Sequence, residues 1–275
     1  MPRPEPDRPR ARGRVATLVL VVALVVGTLT ACSGRSSRAR SDATRGCRSE
    51  RDRTASVNAM IAAVPDGGTV TFPRDGCFPT DGTVDVVGRH DLTIDGRGTT
   101  FMRRVAVPGP FSPQWLVQGS TGITLRSVDI VGPKPDSAGF NHPYEGQPGI
   151  AIDNSRTVTV ERSGISAVWG DFVRISNITD GVHITGNRLV QAGRQGLAVV
   201  GGAHIVFDHN FVSGTGRFSI DLEPYPSTPV HAVTISDNQL VHPRFGFVCA
   251  TGYDPRCTRG PALYDITVRD NAQEG

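Results

Sequence analysis

Helix signals are weak along nearly the whole chain, and only residues 55–61 read as a helix of any length. The absence excludes helical bundles and folds of alternating strands and helices. No apolar run is long enough to cross a bilayer securely, since the stretch from Val15 to about Gly27 is too short. The five cysteines show no zinc-ligand spacing. A basic surface is also missing. Of the 29 Lys and Arg, 12 lie before residue 55, against only 5 of the 26 Asp and Glu, so the remainder is net −4 although the chain as a whole is +3. That balance argues against a nucleic-acid partner for the main domain.

What the chain does have is recurrence. Leu92, Ile123, Val158, Val182, Ile205, Val233 and Ile266 each open a short run with a second apolar residue two places on, from Ile94 to Val268. Such alternation is that of a strand with one buried face. In five units a further apolar residue follows seven places after the opener, which leaves room for a corner between two strands. The intervals run from 23 to 35 residues, a minimal coil of about two dozen with loop-sized additions. The pattern predicts an all-β solenoid over 55–275, a right-handed parallel β-helix, with the short helix as a cap over its first strand edge. No cap is evident at the far end. Asn187, Asn210, Asn238 and Asn271 stand five places after their openers, which predicts a stacked amide column at corners where Asn would also tolerate left-handed backbone.

Residues 1–31 read as a signal peptide, with Arg3, Arg8, Arg10, Arg12 and Arg14 ahead of the apolar core. Its end, Leu29-Thr30-Ala31-Cys32, resembles the lipobox of bacterial lipoproteins, which implies lipidation of Cys32; the alternative is ordinary secretory cleavage near Ala31. Either implies an extracytoplasmic protein, anchored in the cell membrane or secreted. Residues 32–54, rich in Arg and nearly free of apolar side chains, form a flexible tether suited to an anionic membrane surface. In an exported chain the remaining cysteines suggest two bridges, Cys47 with Cys77 and Cys249 with Cys257, among three connectivities.

With its coils and corners, the domain from about 55 to 275 resembles the pectate-lyase-like superfamily of right-handed β-helix proteins. The resemblance implies action on polysaccharides by lyases, hydrolases, epimerases or depolymerases. It transfers no catalytic residue. The adjacent Asp pair and Gly-His-Gly segment of polygalacturonases are missing, and Tyr253-Asp254-Pro255-Arg256 only partly echoes the Asp-Pro-His of alginate epimerases.

The site is therefore sought in columns of residues at one offset. Arg194, Arg217 and Arg244, 11 or 12 places after their openers, are expected to stack on three adjacent coils. An acidic glycan would compensate their charge, and so would the protein's own acids. Asp171, Asp221 and Glu223 are the nearest acids, with Asp171 expected directly beneath Arg194 and the other two facing outward on one strand. Asp171, Arg194, Asp221 and Glu223 are the catalytic candidates. They would act as acid, base or carbanion stabiliser, as ligands of Ca2+, or merely as ion pairs. His142, Glu145, Trp169, Gln195, Arg217, Tyr225 and Arg244 are the substrate-binding candidates, several on insertions at 132–149 and 224–227 that would wall this face. His183, His204 and His209 are expected at the surface. The leading expectation is a lyase on uronate-containing glycans, followed by a two-carboxylate hydrolase and a non-catalytic glycan-binding module.

Overall fold

The computed structural model describes residues 47, 48, 50–109, 111–250, 252–257 and 260–275. The signal peptide, Cys32 and most of the tether lie outside these residues.

The chain winds as a right-handed parallel β-helix with three short strands per coil. Seven full coils and two strands of an eighth are present among the described residues. The first coil is Thr69–Thr71, Cys77–Pro79 and Val84–Val87, and the fifth is Asp180–Thr185, Arg188–Ala192 and Leu197–Val199. All pairing between coils is parallel, and the recurrent openers fall in register: Ile123 with Val158, then Val182, Ile205, Val233 and Ile266. The expected first strand around Val70 adds a coil below, with Val70 against Ile94. Alternate residues of every strand point inward, and these openers are buried from Leu92 to Val233.

Each coil turns from its first to its second face through left-handed backbone, at Asp75, Ser127, Arg162, Gly186, His209, Asp237 and Asp270 singly and at Arg97 and Gly98 together in the second coil. The asparagines come one place later and are not themselves left-handed, a correction to the sequence expectation. Their column is an amide ladder. Asn187 Nδ2 donates to Asn210 Oδ1 at 3.0 Å, Asn210 to Asn238 at 3.1 Å and Asn238 to Asn271 at 2.9 Å. Each Nδ2 also donates to a backbone carbonyl of the coil below, those of Val160, Ile184, Phe207 and Ile235. The tight corner leaves backbone groups unpaired by the sheet, and the amides satisfy them.

The helix Thr54–Ala63 closes the lower end, burying Val57 and Ile61 over an edge-to-face cluster of Phe72, Phe78, Phe101 and Trp115. Both expected disulfides are present. Cys47–Cys77 ties the chain ahead of the helix to the first coil, and Cys249–Cys257 closes a local loop. Insertions concentrate on both sides of the third face, at 103–114 and 132–149 before it and at 223–229 and 250–262 after it.

Candidate functional site

The third face is a seven-stranded parallel sheet, and its outward positions form two columns. Leu116, Ala151, Arg174, Ala198, Asp221 and Cys249 make one; Gln118, Asp153 and Ser176, followed in the same register by Val200 and Glu223, make the other. On this face lies a groove of about 260 Å3, lined by Phe111, Gln118, Asp153, Arg174, Ser176 and Tyr225 among others. Its floor is polar: Asp153 accepts from Gln118 Nε2 at 2.9 Å, Ser176 Oγ at 2.9 Å and the amide of Asn177. Its rims carry exposed rings, Phe111 at 49% and Tyr225 at 57% exposure. The Arg174 guanidinium lies 5.1 Å from the Phe111 ring centre. That rim is fixed by the buried Arg103, which donates to the carbonyls of Gly82, Ser112 and Pro113 at 2.7–2.8 Å. Burial, only partly offset by Asp81, lowers the Arg103 pKa to about 10.

At the corner leading into the third face, Arg194 stands among three carboxylates. Its Nη1 donates to Asp171 at 3.1 and 3.3 Å and its Nη2 to Glu223 at 3.0 and 3.1 Å, while Nε lies 3.7 Å from Glu145. His142 Nδ1 is 3.2 Å from the other oxygen of Glu145. Asp171 is 1% exposed and accepts the backbone N–H of Gln195 at 3.0 Å. Burial pushes the Asp171 pKa up, over the opposing pull of Arg194 and that N–H. Burial works against the Arg194 charge as well, yet Asp171 and Glu223 outweigh it and hold its pKa above the ordinary value.

Most of the residues expected at the site are thus brought together: Asp171, Arg194, Glu223, Glu145 and His142 in contact, with Gln195 donating to Asp221 at 2.8 Å alongside. Several details differ from expectation. Asp221 is on the outward side of its strand but only 2% exposed, because neighbouring loops cover it. Asp171 is in register with Gln195, and Arg194 with Gly170, because the fourth coil has one extra residue between Ile175 and Val182. Arg194 and Arg217 are stacked, Arg217 N donating to Arg194 O, but the third step is Phe245 and Arg244 falls one place short. Arg217 lies between the rings of Phe140 and Phe245, at 5.3 and 5.6 Å. Trp169 is buried beneath Tyr144, rings 4.8 Å apart, leaving it no free face for a sugar. Tyr225 is on the far rim of the groove. His183, His204 and His209 are at the surface, the first two paired with Asp208 and Asp180.

The acids around Arg194 already enclose a cation. Among the described residues no group of three or more His, Cys, Asp or Glu is disposed to hold a metal ion. Sequence reasoning missed the groove floor of Gln118, Asp153, Ser176 and Arg174. Gln118 and Asp153 each stand five places before the next opener, so counting backwards from openers would have aligned them.

No family model matches the chain, and no curated protein matches it. Among solved structures it is similar to the crystal structure of the periplasmic alginate epimerase AlgG, with 15% identity and a TM-score of 0.45. The match covers 73% of this chain and 49% of that one, so the chain spans about half the length of that structure.

Proposed function

We propose that the chain acts on an acidic polysaccharide lying along the third face, by lyase-type removal of the proton next to a uronate carboxylate. The observation that carries this reading is the groove between Phe111 and Tyr225, whose floor presents Arg174 and the Asp153 network and whose two columns continue upward to Asp221 and Glu223. Rings at the rims suit the apolar faces of sugars, and a guanidinium on the floor suits a carboxylate. Glu223, 24% exposed and held by Arg194, is the base in this reading. Asp171 orients Arg194 from beneath. Asp221 is too enclosed to share the work, which places a two-carboxylate hydrolase second.

Both oxygens of Glu223 accept from Arg194, at 3.1 and 3.0 Å, which fixes where the carboxylate points. Arg174 neutralises the uronate whose adjacent C–H is broken: Glu223 takes that proton, the electron pair forms a C=C bond as the neighbouring glycosidic C–O bond breaks, and water protonates the departing sugar oxygen. The reading needs no metal at Arg194. Two disulfides accord with export, and we extend the proposal to a lipid anchor at Cys32 on an extracytoplasmic membrane surface.

The test is incubation of the protein with acidic and neutral polysaccharides, with and without Ca2+, following unsaturated-product absorbance and reducing ends together. A lyase gives both signals, and Glu223→Gln should lower kcat at least a hundredfold while substrate still binds. Reducing ends without unsaturation would make the protein a hydrolase. Binding without either signal would make it a glycan-binding module.

A further inference from the structure

The insertion at 132–149 does not merely wall the site. It climbs as a strap across the corner over four coils, reaching a residue on each. Tyr144 stacks on Trp169 of the fourth coil, Glu145 faces Arg194 of the fifth, and Phe140 packs on Arg217 of the sixth. On the seventh, a Cβ added to Gly139 would stand 3.3 Å from the Arg244 guanidinium. The strap also presses on Gly170, where a Cβ would come within 2.6 Å of the Glu145 carbonyl oxygen. This one segment therefore reaches all three arginines singled out by the sequence.

Beneath it lies a concentration of unmet polar groups. Trp169 Nε1, Arg194 Nε, Gln195 Oε1, Arg217 Nε and Ser219 Oγ are all buried at or next to this corner with no hydrogen-bond partner among the described residues, as is Gln147 Oε1 of the strap's own base. A buried donor or acceptor left unpaired is unfavourable, so a cluster of them at one place is expensive unless something pairs with them. Of the three carboxylates on Arg194, Glu145 is the weakest held, making a charge contact at 3.7 Å and no hydrogen bond. It is also the only one that comes from the strap.

We propose that Glu145 is an autoinhibitory latch: a carboxylate on a movable strap occupies the place on Arg194 that a uronate of the glycan takes when the strap lifts. The incoming carboxylate accepts from Arg194 Nε, and the sugar hydroxyls pair with Gln195 Oε1 and Ser219 Oγ. No covalent bond changes. The inference rests on the acidic-glycan reading above and adds to it a second carboxylate subsite, gated by the chain itself.

The experiment compares wild type, Glu145→Gln and Phe140→Ala in the full-length chain. Glu145→Gln removes the charge from the latch, and Phe140→Ala loosens the strap without altering any charge. Amide exchange over residues 138–146 is measured without ligand, and binding is measured for oligogalacturonate and oligomannuronate of defined length and for a neutral oligosaccharide. Both variants should exchange at least tenfold faster in the strap and bind a uronate oligosaccharide about tenfold tighter, with neutral binding unchanged. Unchanged exchange in both variants overturns the latch. So does a uronate oligosaccharide that binds all three proteins equally, or the variants more weakly, and that result leaves the acidic-glycan reading standing. If the strap loosens and none of the three binds any uronate, the acidic-glycan reading falls and the latch falls with it.

Discussion

Asp171 is the residue whose environment makes the sharpest demand. Its carboxyl is enclosed at the foot of Arg194, and burial raises its pKa above the ordinary 3.8 of an aspartate despite the guanidinium beside it. The native state therefore keeps the proton at pH values where the unfolded chain has released it. Stability must fall as pH rises from near 3.8 through the folded value, by about 1.4 kcal/mol for each unit that separates the two. Asp171→Asn has no proton to lose. In urea unfolding of both proteins between pH 3 and 7, the stability of wild type relative to the variant should decline with rising pH. A flat or rising difference would mean that Arg194 overcomes burial. The same residue shows the limit of counting along the chain. That Asp171 and Arg194 meet was legible from the sequence, yet the register was off by one, because one extra residue in the corner after Ile175 leaves no hydrophobic signature.

At the scale of elements, the strands and ladders were legible because burial imposes them. An inward position must be apolar, and a tight corner must satisfy its own backbone, so Ile205 and Asn210 declare themselves. The groove floor and the strap answer to no such rule. Gln118 and Asp153 are ordinary surface residues in sequence, and Phe140 looks like any loop aromatic until Arg217 is found beside it. The ladder gives the element-scale prediction. Asn210 donates to Ile184 O and Asn238 Oδ1, and its own Oδ1 accepts from the backbone N and the Nδ2 of Asn187. Asn210→Ala leaves several buried groups unpaired and should cost at least about 3 kcal/mol. Asn271 is the last described member of the column and is half-exposed, so in this chain Asn271→Ala should cost about 1 kcal/mol. Equal losses in denaturant titrations would show that the ladder does not act as a stack.

For the whole molecule, the architecture dictates how a disturbance spreads. Each strand pairs only with strands of the coils above and below it, although the strap at 132–149 reaches further, so stability is nearly a sum of coil terms and neighbour interfaces. The lower end is reinforced three ways, by the helix Thr54–Ala63, by the Phe72 cluster and by the Cys47–Cys77 bridge, which spans 30 residues. A closed loop of that length lowers the entropy of the unfolded chain by an amount worth roughly 3–4 kcal/mol. Because Cys47 lies ahead of the helix and Cys77 on the first coil, the bridge holds the cap where it covers the strand edge. Replacing both cysteines by serine should therefore free the helix and the first coil first. Amide exchange should rise at least tenfold across 54–87 and stay unchanged across 182–212, which lies in the fifth and sixth coils. Asp153, Arg174 and Glu223 lie on the third coil and above and should keep their positions, whereas the Phe111 rim, tied through Arg103 to Gly82, should loosen with the first coil. A uniform rise along the chain would instead mean that the coils unfold as one unit, and the strap at 132–149 could not move alone in such a molecule.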